Sequence, residues 1–156
     1  TIVIFSDFSC PYCKKAAYTI SELAVKYNDS IKIIVRDFPV LTEGSYQLAL
    51  AARCAGEQGK YFTMYHKLFD KQGTFSASDL SSLATSAGVT DISAFSNCLS
   101  SEKYKTDIAK DFSDGQYLEI TGTPAWFIDG YKAGEGAIPV EAWSSFIEET
   151  LKEKNN

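Results

Sequence analysis

The opening segment Thr1-Ile2-Val3-Ile4-Phe5-Ser6-Asp7-Phe8-Ser9-Cys10-Pro11-Tyr12-Cys13 constrains this chain more than any other part of it. Its apolar start makes residues 1–8 read as a buried strand. Just beyond it, Ala16, Ala17, Ile20, Leu23, Ala24 and Tyr27 recur near helical spacing, so a helix is predicted from Cys10 to about Tyr27. Two cysteines with two residues between them therefore fall at a strand-to-helix turn, the pattern of a redox dithiol. Such a pair points to chemistry that makes, breaks or rearranges disulfides in other molecules.

The remaining segments extend this start. Asn28-Asp29-Ser30 ends the helix, and residues 31–38 read as a second strand closed by Pro39. From about Glu43 to Glu119 the pattern is helical. Residues 47–55 are rich in good helix formers. Residues 61–70 form an aromatic helix, Ser76-Ala77-Ser78-Asp79 looks like a helix start, and Gly88 looks like its end. Further helices are predicted over 92–99 and 103–117. Ala125-Trp126-Phe127-Ile128 reads as a short strand, and Asp129-Gly130 as a hairpin turn into Tyr131-Lys132-Ala133. Pro139 suits the first position of a last helix reaching about Lys154. The expected class is α/β: two parallel strands joined by a right-handed crossover, an antiparallel hairpin and a closing helix. Residues 1–41 and 119–156 would form this discontinuous domain. Residues 42–118 would be a helical insertion with a small core of its own.

Apolar residues make up 45% of the 156, enough for a real core, and 10 Phe and 9 Tyr supply its bulk. A net charge of −5 without a basic stripe argues against a nucleic-acid partner. No run approaches the 18 or more apolar residues of a membrane span, and no signal peptide is legible. The chain begins on a strand without an initiator Met and reads as a mature or trimmed form. Four cysteines are too few for a disulfide scaffold. Cys54 and Cys98, on different predicted helices, read as a structural bridge worth about 4 kcal/mol, with two buried free thiols as the alternative. A bridge implies an oxidising compartment.

The turn explains why one sulfur would be reactive. The thiolate is the attacking species in disulfide exchange. With Cys10 at the helix start and Pro11 at the first helical position, the N–H groups of Tyr12 and Cys13 remain free to point at the Cys10 sulfur. Helix starts of this kind lower a cysteine pKa to roughly 3.5–7.5. Cys13, one turn inside, should be shielded and keep a higher pKa. Cys10 would then form the mixed disulfide with substrate and Cys13 would resolve it. Two blander readings compete: half of a zinc site, for which only His66 offers an imidazole, and a plain structural disulfide. Asp7 could relay a proton to Cys13 or accept local hydrogen bonds, and Asp37 shares the ambiguity. Lys14 and Lys15 add weak positive potential. His66, Trp126, Phe127, Tyr61, Phe62 and Tyr65 read chiefly as packing residues, some able to line a groove.

Thr121-Gly122-Thr123-Pro124 precedes the late strand, and taken alone marks only a boundary. Together with the dithiol and the order of segments it carries more. The stretch from Phe5 to Cys13, and Gly122-Thr123-Pro124-Ala125-Trp126-Phe127-Ile128-Asp129-Gly130, resemble the two end signatures of DsbA-type oxidoreductases, the bacterial disulfide-forming proteins. The likeness covers nearly the whole chain. It implies a thioredoxin fold with an inserted α-helical subdomain, a cis Pro124 beside the dithiol, and a Thr123 backbone that pairs with an extended substrate while tuning the potential. It implies no cofactor beyond the Cys10–Cys13 disulfide and no metal. It further implies an extracytoplasmic, periplasm-like location, unfolded or reduced secreted proteins as substrates, and a membrane-bound, quinone-linked redox partner. With no dimerisation segment evident, a monomer is expected. The chain departs from the family at Tyr12, where the strongest oxidants carry His. A phenol offers no positive charge, so the pair should be less oxidising, and Cys-Pro-Tyr-Cys also resembles the glutaredoxin dithiol. Donation of a disulfide is the leading expectation. A reductase or isomerase on the same residues, and a binder of unfolded chains without turnover, are the alternatives.

Overall fold

Alternation along the first strand sets the layers of the molecule. The computed structural model describes residues 1–74 and 79–154. Strands β1 (Ile2–Ser6), β2 (Ile33–Asp37), β3 (Ala125–Ile128) and β4 (Tyr131–Glu135) form one sheet in the order β2-β1-β3-β4. β1 runs parallel to β2, with Ile4 opposite Val35, and antiparallel to β3, with Ile4 also opposite Trp126. β3 and β4 are antiparallel and meet at Asp129-Gly130, both at positive φ (46° and 93°), as a tight hairpin requires. Helix α1 (Pro11–Tyr27) connects β1 to β2, and α7 (Val140–Lys154) closes the chain, with Pro139 just before its first turn.

Between β2 and β3 lie α2 (Ser45–Gly56), α3 (Tyr61–Asp70), α4 (Leu80–Ser86), α5 (Ile92–Ser100) and α6 (Lys105–Tyr117). This is the expected thioredoxin fold with an inserted helical region. The helix start read at 76–78 lies outside the described residues. Gly88 follows α4 at φ 89°, the left-handed conformation of a helix stop.

Side chains alternate across β1. Ile2 and Ile4 face a large cluster that runs without a break through Leu23 of α1, Ala52 of α2, Met64 of α3, Phe95 of α5, Trp126 of β3 and Trp143 of α7. The separate small core expected for the helical block is therefore not what forms. Ala49, Ala51, Ala52 and Ala55 of α2 are all buried, and side chains this small let neighbouring elements reach one another across the helix. On the opposite face Phe5 and Phe127 pack with Phe38, Ile120 and Ala125. Phe38 stacks on Phe112 of α6 at 5.2 Å and lies against Gly115, where a Cβ would sit 2.6 Å from its ring.

Charge also ties α6 to the sheet. Arg36 of β2 pairs with Asp111 (2.6 Å) and Asp114 (2.5 Å), and Arg53 of α2 pairs with Asp37 (2.5 Å) and Asp111 (2.5 Å). Burial foremost, set against Arg53, pushes Asp37 up to about 6. Cys54 of α2 and Cys98 of α5 are joined as a disulfide with Cα atoms 5.8 Å apart.

Two stability outcomes follow. Gly115→Ala should lower the unfolding free energy by about 1–3 kcal/mol in urea titration, because Phe38 must leave its stacked position. A loss below about 0.5 kcal/mol would show that the ring moves aside freely. Opening the bridge with Cys54→Ala and Cys98→Ala should cost about 4 kcal/mol by the same assay. A Cys10→Ser, Cys13→Ser variant, gently oxidised and then denatured, should show no free thiol, and two free thiols would refute the pairing.

Candidate active site

The turn after β1 is built by backbone hydrogen bonds to one aspartate. Cys10 N–H donates to the Asp7 carbonyl (3.0 Å) and Ser9 N–H to Asp7 Oδ1 (2.8 Å). Cys10 is left at the cap of α1 in extended geometry (φ −84°, ψ 120°), and Pro11 occupies the first turn. Lys14 N–H reaches the Cys10 carbonyl (3.1 Å), so the helix begins here, and no side chain caps its first N–H groups.

The two sulfurs, one helical turn apart, meet opposite surroundings. Both cysteines are unbridged, with Cys10 only 3% and Cys13 0% exposed. The Cys13 thiol is the foremost group favouring the Cys10 thiolate. Burial opposes it, and the Thr123 side chain and the N–H groups of Cys13 and Tyr12 add to it. Together they hold the Cys10 thiol down to about 5 from an ordinary 9.0. In its protonated form Cys10 donates instead to the Thr123 carbonyl, 3.2 Å away. Cys13 is pushed far above the ordinary thiol value, first by burial and then by Cys10. The Asp7 N–H, 3.4 Å from its sulfur, and the Ser6 hydroxyl pull weakly the other way.

The structure brings Cys10, Pro11, Tyr12, Cys13 and Thr123 together, with buried Pro124 following Thr123 through a cis peptide bond. The loop before it is anchored by Glu135, which accepts from Thr121 N–H (3.0 Å) and from the Thr121 hydroxyl (2.8 Å). Although burial works against it, Lys132 and those Thr121 donors hold Glu135 down to about 2. The Tyr12 ring is 57% exposed, with the Lys15 ammonium 5.6 Å from its centre. The Cys54–Cys98 bridge is not part of this group; it joins α2 to α5.

Asp7 is buried, and its carboxylate accepts from the N–H groups of Ser9, Val40 and Leu41, the last two at 2.8 Å. That is the local-acceptor role rather than the relay. Asp37 belongs to the ion network, and half-buried His66 lies 3.2 Å from the Ser21 hydroxyl, its pKa lowered by burial. Sequence reasoning missed Gln72, whose Nε2 donates to the carbonyls of Phe8 (2.8 Å) and Cys10 (2.9 Å), and the linked hydroxyls of Ser9, Thr42 and Ser45. It also passed over Ser6, and weighed Tyr65 only as a packing residue. An interior serine at the end of an apolar strand was the one available signal. Among the described residues no cluster of three or more His, Cys, Asp or Glu side chains is placed to hold a metal.

Residues 1–149 match the family model described as thioredoxin. Among solved structures, the chain is similar to the thiol-disulfide exchange protein α-DsbA2 of Wolbachia pipientis. Identity is 25%, the TM-score is 0.85, and the match covers 96% of this chain and 80% of that one. It is also similar to a thioredoxin-like oxidoreductase of Silicibacter pomeroyi, at 25% identity and a TM-score of 0.84, covering 97% and 86% of the two chains. Among curated proteins, a Na(+)/H(+) antiporter NhaA 1 of Mycolicibacterium vanbaalenii is 30% identical over 135 residues, 84% of this chain and 22% of that protein. The chain thus spans about a fifth of the length of the curated relatives it matches.

The geometry sets the acid limb of reactivity. Iodoacetamide alkylation of Cys10 should rise with an apparent pKa near 5 and level off by neutral pH. Cys13→Ala, which removes the foremost donor, should move the curve to higher pH. Because the folded value lies below the unfolded one, the thiolate's contribution to the stability of the reduced protein is full above pH 9 and is lost as pH falls through 5. An alkylation midpoint near the ordinary value of 9.0 would contradict the arrangement.

Proposed function

The chain belongs to the thioredoxin family, and we propose that it is the donor in thiol–disulfide exchange, passing the Cys10–Cys13 disulfide to reduced secreted proteins. That it is a thiol–disulfide oxidoreductase follows from its likeness to α-DsbA2 and to the Silicibacter oxidoreductase. The direction rests on one observation: donors converge on Cys10 while Cys13 is buried at 0% exposure. A substrate thiolate attacks Cys10 and displaces Cys13, giving a mixed disulfide. A second substrate thiol then attacks the substrate sulfur, and Cys10 leaves as a stabilised thiolate.

Thr123 and Pro124 border the sulfur that substrate must reach, so an extended substrate segment pairs with the backbone there. Pro11 and Tyr12 form the exposed lip of the site. The Cys54–Cys98 bridge supports an extracytoplasmic setting, where reoxidation by a membrane-bound, quinone-linked partner restores the dithiol. Among the described residues no helix is long and apolar enough to cross a membrane. The transport named in the antiporter relatives is not carried to this chain, which matches about a fifth of them.

Equilibration with glutathione tests the direction. The pair should lie nearer the about −180 to −120 mV of isomerases and strong oxidants than the about −270 mV of thioredoxin, and a value near the latter would make the protein a reductase. In oxidative refolding of a reduced substrate, Cys10→Ser should abolish turnover and Cys13→Ser should accumulate mixed disulfide. Retained activity in Cys10→Ser would leave a binder of unfolded chains.

A further inference from the structure

Two buried hydroxyls near the dithiol have no hydrogen-bond partner among the described residues. Ser6 ends β1 at 3% exposure, and Tyr65 of α3 is 0% exposed in a cage of Phe8 (5.4 Å), Tyr61 (6.1 Å) and Phe69 (4.9 Å). Alanine and phenylalanine would pack the same places. In the dithiol form neither hydroxyl completes a hydrogen bond to a described residue. Burying a hydroxyl without a partner is unfavourable, and such groups call for another explanation. Ser6 directly precedes Asp7, whose N–H lies 3.4 Å from the Cys13 sulfur, and its hydroxyl acts on both the Cys13 thiol and the Tyr65 phenol.

We propose that Ser6 donates a hydrogen bond to the Cys13 sulfur as that sulfur becomes anionic, and that Tyr65 is the positioning residue that donates to Ser6 behind it. This rests on the exchange reaction proposed above. When a substrate thiolate attacks Cys10, its electron pair forms the new S–S bond. The pair of the Cys10–Cys13 bond moves onto Cys13, which leaves as a thiolate. The proton that the substrate thiol released to solvent later returns to Cys13. At the moment of bond breaking the charge is inside the protein, where only preorganised donors can receive it. The Asp7 N–H is one, at 3.4 Å. The nearby carboxylates cannot serve as donors: Asp7 is filled by three backbone N–H groups, and Asp37 is paired with Arg53. The two hydroxyls complete the set.

The test compares chemistry with stability in Ser6→Ala, Tyr65→Phe and the double variant. Reduction of the oxidised protein by glutathione should slow by roughly tenfold or more in the double variant, the scale of a hydrogen bond to a charged group. Unfolding midpoints should hold or rise, since orphan hydroxyls are removed. Iodoacetamide alkylation of Cys10, which breaks no bond to Cys13, should stay within about twofold of wild type. A double variant that exchanges as fast as wild type, or that loses alkylation and exchange in parallel, overturns the assignment. If Ser6→Ala does not fold, Tyr65→Phe alone decides by the same readouts. Wild-type protein that fails to exchange with glutathione would instead remove the functional reading beneath it.

Discussion

Charge placed on one sulfur and withheld from its neighbour is the constraint on which this molecule depends. Cys10 caps a helix whose first N–H groups have no other side-chain partner, while Cys13 lies one turn deeper in the cluster that holds Phe8 and the aromatic helix α3. Dipoles aligned at a helix start favour an anion, and a dry interior disfavours one. The same four residues therefore contain an acidic thiol and a very weak one. The weak thiol lends its proton as a hydrogen bond to the acidic one, so the contrast sustains itself.

Keeping that geometry requires segments far apart in the chain. Asp7 fixes the turn from within and grips the loop after β2 by Val40 and Leu41. Gln72 holds the Phe8 and Cys10 carbonyls from the far end of α3. Glu135 pins Thr121, and with it the loop that sets Thr123 against Cys10. Each anchor is a side chain satisfying backbone groups that a turn leaves open, the general requirement for irregular structure next to a buried site. The helical block is thus more than an appendage, since its core is continuous with the sheet's and it supplies Gln72 and Tyr65.

The dithiol turn was legible because everything that makes it is local: an apolar strand, a proline suited to a first helical position, and a helix of correct period. Strand β3 and its hairpin were legible for the same reason, and the predicted α3 and β3 agree with the observed bounds. The Cys54–Cys98 pairing rested on parity alone, and both cysteines fall on the predicted helices. What could not be read depends on sequence separation. Gln72 lies 62 residues from the carbonyl of Cys10 it binds, and no periodicity marks it. The merging of two expected cores follows from alanines on α2, which as a sequence pattern say only that a helix forms. The leading role of the Cys13 thiol in stabilising Cys10 was missed because reasoning from a helix start counts N–H groups and overlooks a neighbouring S–H.

That omission bears on direction. From Tyr12 alone, in place of an imidazole, one expects a poorly stabilised thiolate and a weakly oxidising pair. In the structure the phenol is largely in solvent, and what Tyr12 contributes to Cys10 is its backbone N–H. A thiol held at about 5 is a thiolate at neutral pH, so the reduced protein is stabilised there. Stabilising the reduced form of a two-electron couple shifts it toward the oxidising side. An imidazolium between the cysteines would add to this, and this chain has none there. The backbone and Cys13 lower the Cys10 thiol, however, with no charged side chain between the cysteines. On the function proposed above, direction would turn less on which side chain sits between the cysteines than on how completely the second one is buried.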